Sequence, residues 1–179
     1  MSKPPKVKRE IPAEGNYKGT LVHIIDLGTQ VNKNPAFADA PKVHLGYELA
    51  GRKRKDGQPF VVSTKFTFSS SPKSNMAKTL KKWLGVKNPA EYDLVDALKK
   101  DANLVIEHSE DGQYANITEI NKYSGPKLRP ETKPISLFLD DTFEQDVFDK
   151  LWDKIKETIA LSPEYDEVVG KSRKKGKKK

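Results

Sequence analysis

Apolar positions along this chain alternate at a spacing of two, switch to helical spacing near residue 76, return to alternation near residue 103, and end on a second helical stretch. The first run, residues 15–30 (GNYKGTLVHIIDLGTQ), is dense in Val, Ile, Leu and Thr, opened by Gly15 and closed by Gly28. Its mixed pattern predicts a strand buried on one face and partly buried on the other. It is longer than the usual strand of about five or six residues, and Gly19, lacking a Cβ, would permit a bend or bulge near its middle. Residues 28–42, with Gly28, Asn32, Asn34, Pro35 and Pro41, read as a loop. In residues 43–49, Val43, Leu45, Tyr47 and Leu49 alternate with His44, Gly46 and Glu48, which predicts a half-buried strand. Residues 51–57 (GRKRKDG) form a basic hairpin loop with Asp-Gly as its turn signal. Residues 60–68 place Phe60, Val62, Thr64, Phe66 and Phe68 on one face of a third strand and Lys65 on the other.

Met76, Leu80, Trp83 and Leu84 then share one side of a helix ended by Gly85, and Asn88-Pro89 starts a second short helix carrying Tyr92, Val95 and Leu98. Two strands follow, residues 103–108 and 114–121, flanking an Asp-Gly hairpin loop at 109–113. Three strands, a helical connection and two strands is the order of the oligonucleotide/oligosaccharide-binding (OB) Greek-key barrel, in which a long, bent first strand pairs with two neighbours. The fold expected is therefore mainly β: a five-stranded OB-like barrel with helices between strands 3 and 4, plus a C-terminal amphipathic helix. A half-open β-barrel with different wiring is the alternative.

Beyond the barrel, Gly and Pro density marks residues 124–134 as a linker. Residues 135–139 are short and apolar, suited to an edge strand or a docking segment. Thr142 with Gln145 makes a capping box, and Phe143, Val147, Leu151, Ile155 and Ile159 step by four along the helix it opens, beside Phe148 and Trp152, until Ser162-Pro163 stops it. The expected organisation is a flexible basic arm (1–13), the barrel (14–123), the linker (124–134), an acidic helical segment (135–167) and a disordered basic tail (168–179).

Charge sharpens this division. The net charge is +8, but residues 171–179 carry seven basic and no acidic groups while residues 131–170 carry four basic and eleven acidic ones. A mildly basic domain is thus followed by an acidic segment and a basic end. With 35% hydrophobic residues there is enough for one core. No apolar run is long enough to span a membrane, and the Lys- and Pro-rich start is not a secretory signal. The absence of Cys excludes disulfides, thiolate metal sites and a Cys nucleophile.

No catalytic constellation stands out. His23, His44 and His108 match no metal-ligand spacing, no phosphate-cradling Gly loop is present, and Asp140 and Asp141 suit a helix start. Neither a cofactor nor a metal is implied, and binding is the better-supported class. Across strands 2 and 3 and the loops beside them, the barrel would offer a nucleic-acid surface of Lys33, Asn34, His44, Arg52, Lys53, Arg54, Lys55 and Lys65, with Lys33, Arg52, Lys53, Arg54, Lys55 and Lys65 contacting phosphates. Phe37 and Tyr114 are the aromatics least committed to an apolar face and free to stack on bases.

The segments GNYKGTLVHIIDLGTQ, LGYELAGRKRKDGQPFVVSTKFTFSSSPKSNMAKTLKKWLG, GQYANITEI and FLDDTFEQDVFDKLWDKIKETIALSPEY, in that order over residues 11–167, resemble bacteriophage single-stranded DNA-binding proteins of the OB-fold type. The resemblance implies a non-enzymatic protein that coats single strands during phage DNA replication or recombination in the cytoplasm of a bacterial host, with replication or recombination proteins as further partners. It departs from the family at its end: such proteins often close on an acidic tail that recruits partners, whereas this chain closes GKSRKKGKKK. The competing reading is an interaction adaptor that docks a replication or host factor through Phe143, Val147, Leu151 and Trp152.

Overall fold

The computed structural model describes residues 9–176, with six strands and four α-helices among them. Residues 1–8 of the expected arm and 177–179 of the expected tail lie outside the described residues. Strand β1 (Gly15–Gln30) is the longest, at 16 residues. One edge pairs antiparallel with β4 (Asp101–His108) from Gly15 to Thr20, and the other pairs antiparallel with β2 (Ala40–Lys53) from Gly19 to Gln30. β3 (Pro59–Thr67) continues the sheet beyond β2, and β5 (Ala115–Lys122) continues it beyond β4, both antiparallel. β6 (Ile135–Leu137) runs parallel to β1 at His23, Ile24 and Ile25, where the β4 ladder has ended. The order is β3-β2-β1-β4-β5, with β6 on β1.

This sheet is not closed into a barrel, which corrects the expected closed five-stranded architecture. The edges β3 and β5 come within 8 Å Cα to Cα but form no ladder, and helix α1 (Asn75–Leu84) packs against both. Met76, Ala77, Leu80 and Trp83 of α1 are buried. Their side chains fill space that direct pairing, at about 4.8 Å between strands, would have closed. Ser74 caps α1 by accepting from the Ala77 amide, and Gly85 ends it in the left-handed region at φ 69°. The second helix expected between β3 and β4 is a 3-10 turn, Leu94–Ala97, that buries Leu94 and Ala97 and leaves Val95 exposed.

Two apolar clusters lie on opposite faces of β1. On the inner face, Leu21 and Ile24 join Val43, Leu45, Tyr47 and Leu49 of β2, Leu104 and Ile106 of β4, and the buried face of α1. On the outer face, Ile25 and Leu27 join Leu137, Leu139, Phe148, Leu151, Ile155, Ile159 and Val168. Register shifts between Leu21 and His23 and between Asp26 and Gly28 make this division possible. With Val22 extra, Leu21 and Ile24 face the same way although three residues apart, and His23 and Ile25 face the opposite way. The bulges thus sit C-terminal to the expected bend at Gly19. Gly19 serves close packing instead, since a Cβ there would lie 2.8 Å from Leu104 Cδ1 and 3.0 Å from the Glu48 carbonyl oxygen.

The single amphipathic helix expected at the C-terminus is broken. α2 (Gln145–Asp149) and α3 (Asp153–Ala160) are separated by an extended Trp152, and α4 (Pro163–Gly176) follows. The Thr142–Gln145 capping box does not form: Asp140 accepts from the Thr142 amide at 2.8 Å, and Gln145 donates to Asp149 at 2.8 Å. The break at Trp152 directs Phe148 and Leu151 from one side of it and Ile155 and Ile159 from the other onto the same sheet face. Ser162-Pro163 ends α3 as expected, but the same pair opens α4, with the buried Ser162 hydroxyl accepting from the Tyr165 amide at 3.2 Å. Residues 168–176, expected without structure, continue α4.

Docking of α4 on β1 is tight at Gly28, which has φ 66° and where a Cβ would clash with the side chain of Ser162, the residue before α4. Thr29 beside it donates to Glu164 through its amide at 2.9 Å and through its hydroxyl. Gly28→Ala is expected to lower stability by about 2–5 kcal/mol in urea unfolding, combining left-handed strain with overpacking. Gly112→Ala, at φ 67° with open space around it, should lose only about 1–2 kcal/mol. Equal losses would contradict the contact between α4 and β1.

Candidate nucleic-acid interface

Most of the residues expected to contact nucleic acid fall into two groups at opposite ends of β2. Lys33, Asn34 and Phe37 occupy the loop before β2. Asn34 organises that loop, its side-chain oxygen accepting from the Ala36 amide at 3.0 Å, and Phe37 stands 65% exposed at its tip beside an exposed Lys33. Arg52 and Lys53 end β2, and Arg54 and Lys55 follow in the hairpin turn, which is closed by the Arg54 amide on the Gln58 carbonyl at 2.7 Å. β2 has 14 residues, so the groups are roughly 40 Å apart along the strand at about 3.3 Å per residue. Exposed Lys65 on β3 lies between them, paired in register with His44.

All four hairpin cations are exposed, but they are not equivalent. Lys53 pairs with Glu131 at 2.9 Å, Arg54 pairs with Asp56 at 2.5 Å, and Arg52 lies over the Tyr17 ring at 5.7 Å. Glu10 accepts from the Lys55 amide, while Glu14 and the Pro12 carbonyl hold His108 at 2.9 and 2.7 Å. The segment from Glu10 to Glu14 therefore bridges the β2–β3 hairpin and the β4–β5 loop. That bridge brings Tyr114, which is 50% exposed, to the hairpin end of the sheet.

His44 does not belong to an exposed surface. It is 7% exposed, and Trp152 covers it with ring centroids 5.5 Å apart, while the His23 ring lies 5.6 Å from the same indole. Gly46, opposite His23 in register, leaves the space for that imidazole. The expected partner-docking residues are likewise engaged within the chain. Leu151 is buried, Phe143 and Val147 pack on the outer cluster, and Trp152 caps the two imidazoles while remaining 43% exposed.

No family model, curated protein sequence or solved structure matches the chain. The site is read from its own chemistry. Among the described residues, no group of three or more His, Cys, Asp or Glu side chains could hold a metal ion, and no helix is long and apolar enough to cross a membrane.

The expected linker proves to be a fixed strap. Asp101 accepts from the Leu128 amide at 2.9 Å, and the buried Glu48 carboxylate accepts from the amides of Glu131 at 2.9 Å and Thr132 at 2.6 Å. Two carboxylates, on the strands β2 and β4 that flank β1, thus hold backbone that would otherwise be free. The strap adds Arg129 to the hairpin: a cleft of about 280 Å³ is lined by Thr20, Glu48, Arg52, Lys53, Arg129 and Glu131, among others. Arg129 had a sequence signal, as a cation between Leu128 and Pro130 in a proline-bounded segment, but nothing local indicated where the segment would be anchored.

Burial of the imidazole pair has a consequence for pH. Burial, then the charges of His23 and Lys65, push His44 down to about 4, and burial also lowers His23. The unfolded chain therefore binds a proton that the folded chain refuses between pH 6.5 and about 4. Stability from His44 is complete above about pH 6.5 and is lost as pH falls through 4, amounting to about 3 kcal/mol. Urea midpoints should fall between pH 6.5 and 5 more steeply for the wild type than for His44→Gln. Equal slopes would contradict the buried, neutral state.

Proposed function

We propose that this protein binds single-stranded DNA with little sequence preference, using an OB-like half-barrel whose hairpin end supplies phosphate contacts. The observation that carries the reading is the β2–β3 hairpin, where four consecutive exposed cations stand at the same end of the sheet as Tyr114 and two of them, Arg52 and Lys53, line a cleft with Arg129. Cations along a groove attract a phosphate backbone whatever its sequence, and an exposed ring allows a base to stack. The strand order β3-β2-β1-β4-β5 with a helix after β3 supports the OB-like assignment, as a barrel opened between its third and fifth strands. The duty proposed is protection of exposed strands in phage replication or recombination, without catalysis.

The contact set differs from the one read across strands 2 and 3. His44 is withdrawn under Trp152, and Lys33 with Phe37 forms a separate group at the far end of β2. The adaptor reading is weakened by the packing of Phe143, Val147 and Leu151 on their own sheet.

Fluorescence anisotropy with labelled oligonucleotides tests the proposal. Tighter binding to single than to double strands is expected, with affinity falling steeply as salt rises. Replacing Arg52, Lys53, Arg54 and Lys55 together by Ser should weaken single-strand binding by about tenfold or more at moderate salt. With Lys53 and Arg54 already paired, the slope of log affinity on log salt should fall by about one to three, at about 0.7 per lost phosphate contact. Unfolding should change little, because exposed charges contribute little to stability. Unchanged affinity would return the hairpin to an ordinary solvated loop.

A further inference from the structure

A second basic cleft lies where no strand contact was expected. It measures about 400 Å³ and is lined by Lys81, Lys82 and Trp83 at the end of α1, Lys100 just before β4, Lys122 at the end of β5 and Tyr123 just after it, among others. Lys81 and Lys82 have an ordinary role in the last turn, where cations meet the negative end of the helix dipole. That role does not account for Lys100 and Lys122, which come from two other elements and converge on the same space. The acidic residue in the wall, Asp101, is committed elsewhere, accepting from the Thr20 hydroxyl at 2.7 Å and the Leu128 amide at 2.9 Å. Lys82 has a partner, Glu119, at 3.7 Å in an exposed pair that is mostly screened.

The two clefts are neighbours. Thr20 lines the one beside the hairpin, Asp101 lines the other, and their hydrogen bond joins the walls. The strap crosses this junction: Tyr123 stands in the second cleft, Leu128 is tied to Asp101, and Arg129 stands in the first. Lys127 is exposed beside that tie, and Lys18 lies 6.0 Å from the centre of the Tyr123 ring.

We infer that the two clefts form one phosphate-binding track, so that a single strand held at the β2–β3 hairpin crosses the strap at Lys127 and Arg129 and enters the lysine-lined cleft at the end of α1. This rests on the single-strand reading above and extends its footprint. The occupant is a polyanionic strand because the track is built from cations of five separate elements with a ring near one end. A small anion would need only one of the clefts.

The test uses the full chain and thymidine oligomers of about 4 and about 16 nucleotides, the span over which OB-type sites vary. Lys81, Lys82, Lys100 and Lys122 are replaced together by Ser. A control replaces Lys73, Lys150, Lys154 and Lys171, which lie outside both cleft linings, and so makes the same change in net charge. The cleft variant should bind the long oligomer about tenfold or more weakly, with a salt slope lower by about two to three, and should bind the short one as the wild type does. The control should lose little for either length. Wild-type affinity of the cleft variant for the long oligomer, or a loss no larger than the control's, overturns the track while the hairpin reading stands. Absence of single-strand binding by the wild-type protein overturns both. Should the fourfold variant not fold, Lys100→Ser and Lys122→Ser made singly should each weaken only long-oligomer binding, by about two- to fivefold, and no change in either would overturn the track.

Discussion

Burial of β1 on both faces over its second half is the constraint to which the remaining elements answer. A strand with Leu21 and Ile24 toward one side and Ile25 and Leu27 toward the other needs two apolar layers. The inner face of the sheet and α1 provide the first, and β6 with α2, α3 and α4 provides the second. The bulge at Val22 reconciles the two, because it changes which side chains meet each layer without interrupting the pairing with β2. Full exposure of Ile25, Leu27, Ile159 and Leu151 would forfeit about 1.5–3 kcal/mol for each large side chain. The acidic C-terminal segment is therefore a structural layer of this domain.

Carboxylates join the layers where apolar contact ends. Asp26 accepts from the amides of Gly28 and Leu139 at 2.9 and 3.1 Å, fixing the end of β1 to the chain that follows β6. Burial raises the pKa of this carboxyl, and the two amides oppose that rise. Glu48 and Asp101 hold the strap in the same way. Each is an acceptor placed opposite backbone donors, which is how a non-regular segment can cross a sheet without leaving donors unpaired. For the proposed function the result is a fixed basic path beside the hairpin in place of a loose tether.

Local pattern made the five long strands legible. Alternation marked β2 and β3, the Asp-Gly signals marked both hairpins, and the Met76, Leu80 and Trp83 spacing with Gly85 marked α1. Tyr47, Phe66 and Phe68 were placed correctly on the inner face. What could not be read locally depended on partners distant in sequence. His44 looks exposed in an alternating strand because the residue that buries it, Trp152, is 108 positions later. The stripe from Phe143 to Ile159 fits one continuous helix, and only the shape of the sheet beneath it explains an extended Trp152. The strap reads as a linker because its Gly and Pro content is visible, whereas Glu48 and Asp101, which anchor it, lie on other strands. Barrel closure likewise depends on whether α1 or a β3–β5 ladder fills the gap.

The two tryptophans report on the two layers separately: Trp83 is buried in the inner cluster, and Trp152 sits over His23 and His44 on the outer face. Uniform 5-fluorotryptophan labelling would give each a fluorine resonance that can be followed through a urea titration. If β1 binds both layers into one cooperative unit, the two native signals will disappear with the same midpoint. Loss of the Trp152 signal at clearly lower urea, with Trp83 still native, would contradict the account by showing that the C-terminal layer is a detachable appendage.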